Sequence, residues 1–149
     1  MRHNQLSKWT GLFAICIGIC YLWFGALKLV PELSPAECLA EQTISSMTFG
    51  IISGRLACTL LAIMEVGIGI GLILRFQLRH VILLMIGHMI CTLTPMFLIP
   101  EQFFGPTPYS LTLVGQYIVK NIVFIAVAFF IYDVERSKSR IPMTQSVEN

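Results

Sequence analysis

Four long runs of apolar residues dominate the chain, at about 10–30, 50–74, 81–99 and 113–132. A bilayer core about 30 Å thick takes roughly 20 helical residues to cross, and each run is near that length. None alternates strictly between apolar and polar positions, as barrel strands do. The pattern therefore predicts an all-α integral membrane four-helix bundle. The intervening segments differ in character. Ser34-Pro35-Ala36-Glu37 has the form of a capping box, with Ser34 as cap, Pro35 at the first helical position and Glu37 reaching back. It predicts a short interfacial helix over about 35–47, with Leu39, Ile44 and Met47 on the membrane surface. The segment 100–110 is rich in proline and aromatics and is expected to fold over the mouth of the bundle. The chain divides into a four-span domain, 1–132, and a polar tail, 133–149, expected to be disordered.

Lysine and arginine set the orientation. Arg2, Lys8, Arg75, Arg79, Arg136, Lys138 and Arg140 all fall on one side of the predicted spans. The opposite segments, 31–49 and 100–112, hold none, but carry Glu32, Glu37, Glu41 and Glu101. Positive charge gathers on the cytoplasmic side, so both termini are expected there. The basic start followed by an apolar run resembles a signal peptide. That run is longer than an h-region and no small-x-small site follows it, so it reads as a retained helix.

Composition agrees. Of the 149 residues, 56% are hydrophobic and 12% charged, against about 25% charged in soluble domains. A net charge of +2, with no basic run interleaved with aromatics, excludes nucleic acid as a partner. The five cysteines include no CxxC pair, which argues against a metal centre, a disulfide framework or quinone-linked disulfide chemistry.

Candidate chemistry lies in the ionisable residues within or at the margins of the spans: Lys28, Arg55, Glu65, His88 and Lys120, with Gln116 beside them. Such groups face the bundle interior, pair with one another or line a pathway. At ~1.5 Å of rise per residue, Lys28, Arg55 and Gln116 form an outer layer, and Glu65, His88 and Lys120 a central one. Arg55, Cys58, Thr59, Ala62, Glu65 and Gly69 share one helical stripe, with Leu60, Leu61, Met64 and Ile68 pointing elsewhere. His88, Cys91, Thr92 and Pro95 share another stripe, and Gln116 and Lys120 a third. Gly67 and Gly71, spaced as GxxxG, predict a close helix approach.

Each feature has a plainer reading beside the functional one. Lys28 and Arg55 also read as side chains snorkelling to the headgroups. Glu65 and Lys120 read as an ion pair that fixes helix register. His88 reads as bonded to a carbonyl or to Thr92, and Tyr21, Trp23 and Phe24 as packing. Taken together, three cations against one acid leave excess positive charge in the outer half, which a small anion or polar ligand would balance.

Three segments resemble the DoxX/DoxD-like superfamily of small four-helix membrane proteins. They are Trp23-Phe24-Gly25-Ala26-Leu27-Lys28, then Gly54-Arg55-Leu56 with Glu65 and Gly67-Ile68-Gly69-Ile70-Gly71-Leu72, and finally Gly115-Gln116-Tyr117-Ile118-Val119-Lys120-Asn121. The last is also similar to the YkgB-like branch of bacterial inner-membrane proteins. The resemblance covers about 10–132 and implies four spans in a bacterial plasma membrane. Members of the superfamily are associated with thiosulfate oxidation feeding quinone, with oxidative-stress complexes and, in animals, with receptor assembly. No catalytic residue set is carried over.

Three readings follow. One is a membrane component of a redox or stress-defence system, which binds a quinone or small anion through Lys28, Arg55, Gln116 and Lys120 and handles protons at Glu65 or His88. Another is a small-anion or proton-coupled transporter, which with four spans requires a homo-oligomer. The third is a non-catalytic assembly subunit that holds a membrane partner. A resident cofactor is not evident, apart from the quinone of the first reading.

Overall fold

The computed structural model describes residues 2–34, 37–107 and 109–138. Over these the chain is all-α: α1 (Arg2–Leu29), α2 (Glu37–Met47), α3 (Gly54–Leu74), α4 (Leu78–Cys91), α5 (Pro95–Leu98), α6 (Pro100–Phe103), α7 (Leu113–Val119) and α8 (Asn121–Lys138). Four stretches are long and apolar enough to cross a bilayer: Gln5–Leu29, Gly54–Leu74, Leu78–Leu98 and Leu113–Lys138. The chain is a multi-pass membrane protein. The Lys138 ammonium donates to Ser7 Oγ at 3.1 Å, which sets the start of α1 beside the end of α8, as four crossings require.

The spans pack around Ala14, Ile17 and Tyr21 of α1, Ile68 and Leu72 of α3, Ile82, Met85 and Met89 of α4, and Ala128 and Ile131 of α8. Leu60, Ile63, Ile70, Val123 and Phe129 point outward, an apolar surface suited to lipid rather than water. The closest helix pair is α1 with α3. A Cβ on Gly18 would lie 2.9 Å from the Gly69 carbonyl, and one on Gly69 would lie 2.7 Å from the Leu22 nitrogen. Gly25 meets Glu65 and Val66 in the same way.

Several expectations are revised. The GxxxG reading fails at Gly67, where an added Cβ meets nothing, while Gly71 faces Val81 of α4. Ile68 is buried rather than turned away, because α3 packs against α4 as well as α1. The second span begins at Gly54 rather than residue 50. Phe49 and Gly50 have positive φ, a left-handed geometry through which a right-handed helix cannot propagate. Leu39 packs with Ile99, Phe103 and Ile118 instead of lying on the membrane. The capping box includes residues 35–36, which lie outside the described residues.

The proline-aromatic segment does fold over the bundle end. Phe103 is buried, its ring 4.9 Å from that of Phe104, and its carbonyl accepts from Thr112 N at 3.1 Å. Residues 133–138 are helical rather than disordered. The Arg79 guanidinium donates to the carbonyls of Glu135 at 2.9 Å and Arg136 at 3.2 Å, closing the end of α8. The remainder of the predicted tail, 139–149, lies outside the described residues.

Candidate functional site

An apolar helix in lipid buries a charge only against a partner, since neither water nor the bilayer core can solvate it. Glu65 of α3 and Lys28 of α1 meet this condition together. The Lys28 ammonium donates to Glu65 Oε2 at 2.6 Å, with Lys28 8% and Glu65 7% exposed. The glycine contacts that bring α1 onto α3 bring these two side chains within reach. Gly25, one turn before Lys28, lies against Glu65 Cβ and the Val66 backbone nitrogen.

His88 of α4 completes the cluster, within reach of both α1 and α3. Its Nε2 lies 3.5 Å from Glu65 Oε1, beyond a good hydrogen bond. Its Nδ1 is 2.9 Å from the Tyr21 hydroxyl, and the two rings stand edge to face with centroids 5.6 Å apart. A tautomer with Nε2 unprotonated would aim a lone pair at the carboxylate. The neutral ring is therefore best placed with Tyr21 donating to Nδ1 and the proton on Nε2. That Nε2 is buried and has no hydrogen-bond partner among the described residues.

Beside His88 a crevice of about 520 Å³ opens sideways between α3 and α4. Ala57, Leu60, Leu61 and Met64 line it from α3, Leu83, Leu84 and Gly87 from α4, and Ile44 and Met47 of α2 close its end. Its walls are apolar apart from Thr48, His88 and Cys91. The half-exposed side chains of Leu60, Leu83 and Leu84 mark the opening as facing the acyl chains.

The other candidates lie apart. Arg55 stays at the outer margin, where its guanidinium reaches Glu37 Oε1 at 2.7 Å and the Leu29 carbonyl. Lys28 does not snorkel outward with it; the lysine turns inward to Glu65. Lys120 does not pair with Glu65. It is exposed on the fourth span, 4.3 Å from the centroid of the Tyr117 ring. Gln116, on the same face, donates to the Leu111 carbonyl at 3.3 Å. The expected pairing of His88 with Thr92 is replaced as well, since Thr92 donates to the Met89 carbonyl and accepts from Asn121. The outer excess of positive charge largely disappears, because Glu65 neutralises Lys28 and Glu37 neutralises Arg55.

Tyr21 and Glu37 are functional neighbours that a linear reading misses. An aromatic in an apolar run reads as packing, and Glu37 sits outside every span. The one available signal was the unmatched Arg55, at a membrane face whose loops hold only acids.

Comparison with known proteins adds no name. No protein-family model, curated protein or solved structure matches the chain. The site's meaning therefore rests on its geometry.

Proposed function

We propose that this chain is a DoxX-like plasma-membrane component of a redox or stress-defence system, and that its crevice holds a quinone-class lipid. The observation that carries the reading is a lipid-facing apolar crevice with the buried His88 in its wall, its Nε2 held off the Glu65 carboxylate at 3.5 Å and without a good hydrogen bond. A quinone has the matching chemistry: an apolar tail, a flat ring and a carbonyl that accepts one hydrogen bond. The Lys28–Glu65 pair is already charge-balanced, so the cluster favours a neutral head over an anion. Tyr21, His88 and Glu65 form a short relay of proton-carrying groups beside that carbonyl. Their role in this reading is to bind, orient and exchange protons. The distribution of basic residues supports cytoplasmic termini.

Small-anion transport is the weaker reading, because Lys28 and Arg55 both have carboxylate partners. Binding of a short-chain benzoquinone to protein in nanodiscs tests the proposal. Wild type is expected to bind it, and His88→Leu to bind about tenfold more weakly, as one lost hydrogen bond allows. Equal affinity for wild type and His88→Leu, or no binding to either, would sink it.

A further inference from the structure

The opposite end of the bundle carries a second concavity, of about 420 Å³, where α3 turns into α4 and α8 ends. Arg75, Arg79, His80, Glu135 and Lys138 contribute to its wall. The turn is tight: Arg75 and Gln77 hold φ of 55° and 47°, a left-handed conformation that non-glycine residues adopt under strain. Arg75 and Arg79, before and after this turn, both line the hollow. Arg75 Nη2 lies 3.4 Å from Glu135 Oε1, and its guanidinium extends over Gly11 of α1. Lys138 meets the same carboxylate oxygen and Ser7 Oγ. Two cations, Arg75 and Lys138, thus converge on the Glu135 carboxylate, and Arg79 lines the hollow beside them while donating to the carbonyls of Glu135 and Arg136. Dispersed lysines and arginines would satisfy orientation equally well, and a shared hollow is more than orientation demands.

The hollow sits where the apolar spans end. Leu74 and Phe76, next to Arg75, are both about 70% exposed, and Trp9, two residues from Ser7, is exposed. A guanidinium-rich recess flanked by lipid-facing apolar residues suits a phosphate diester that carries acyl chains.

We infer that this hollow is a headgroup site for an anionic glycerophospholipid. Arg75 and Lys138 hold the phosphate, with Arg79 adding positive charge to the wall, and Leu74 and Phe76 lie against the chains. The site is separate from the crevice at His88 and does not depend on what binds there.

Native mass spectrometry of the detergent-solubilised full chain tests this, titrating phosphatidylglycerol, phosphatidylcholine with the same chains, and inorganic phosphate. The wild type is expected to bind phosphatidylglycerol at least about tenfold more tightly than phosphatidylcholine, with a preference that shrinks as salt rises. Arg75→Gln combined with Lys138→Gln removes the preference, and Arg75→Lys keeps most of it. Should the double variant fold poorly, the wild-type lipid comparison and its salt dependence decide the matter alone. Equal binding of the two lipids overturns the inference. So does displacement of phosphatidylglycerol by low-millimolar inorganic phosphate, which assigns the hollow to a soluble ligand.

Discussion

The Lys28–Glu65 pair shows how a membrane interior tolerates charge. Neither group can reach water, so each is acceptable only because the other is 2.6 Å away. Removing one partner leaves an uncompensated charge, whereas removing both leaves an apolar contact. Lys28→Met is accordingly expected to destabilise the protein by about 3–5 kcal/mol, and Lys28→Met with Glu65→Leu to recover most of that. Detergent-titration unfolding in bicelles reads both. A double variant no better than the single one would show that the pair is not what couples these residues. Glu65 and His88 were legible in the sequence because ionisable residues inside apolar runs stand out. The partner of Glu65 was not. Depth arithmetic set Lys120 level with it, but depth says nothing about which face of the fourth span is turned inward. Lys28, about one turn along α1 from the point where Gly25 meets Glu65, reaches it with its long flexible stem.

Pairs of helices meet where small residues allow their backbones to approach, and the glycines of α3 divide on this point. Gly69 abuts the α1 backbone, while an added Cβ at Gly67 would meet nothing. Gly67→Ala should therefore raise stability by up to ~1 kcal/mol through helix propensity alone. Gly69→Ala should lower it by about 1–3 kcal/mol, since a clash with rigid backbone is an overpacking defect. Thermal unfolding of the two variants checks the opposite signs, and a shared sign would refute the assigned α1–α3 interface. Glycine spacing in the sequence announced a close approach but not its neighbour. A three- and four-residue pattern places residues on a stripe without saying which helix lies against it, and α3 has helices against two sides. The break after Cys91 is easier to trace. Pro95 lacks an N–H and restricts the residue before it, and Thr92 and Thr94 donate their hydroxyls to nearby carbonyls there.

The four-span architecture was written into the whole molecule by run length and charge placement, the two features a bilayer constrains most strongly. What length and charge cannot encode is where α2 rests. It lies against α3 and α5, closes the crevice with Ile44 and Met47 and supplies Glu37 to Arg55. The crevice itself was invisible to a linear reading, since most of its wall is made of ordinary apolar residues from three helices. Orientation has a direct check. With Cys38 as the single cysteine, exposed on α2, a membrane-impermeant maleimide should label intact cells. With Ser137→Cys as the single cysteine, labelling should require permeabilised cells. The reverse pattern would invert the proposed topology.

Gly87 allows the central claim to be tested without disturbing the fold. It lines the crevice, and an added Cβ there meets nothing within 4 Å, so Gly87→Leu fills the space from within while favouring the helix. The decisive measurement is native mass spectrometry of gently solubilised wild type and Gly87→Leu, each purified from its own membrane. A lipid-soluble molecule of quinone mass on the wild type, absent from an equally stable Gly87→Leu, is the predicted result. The same molecule on both proteins would contradict the account, as would a wild type that carries nothing and takes up no added quinone.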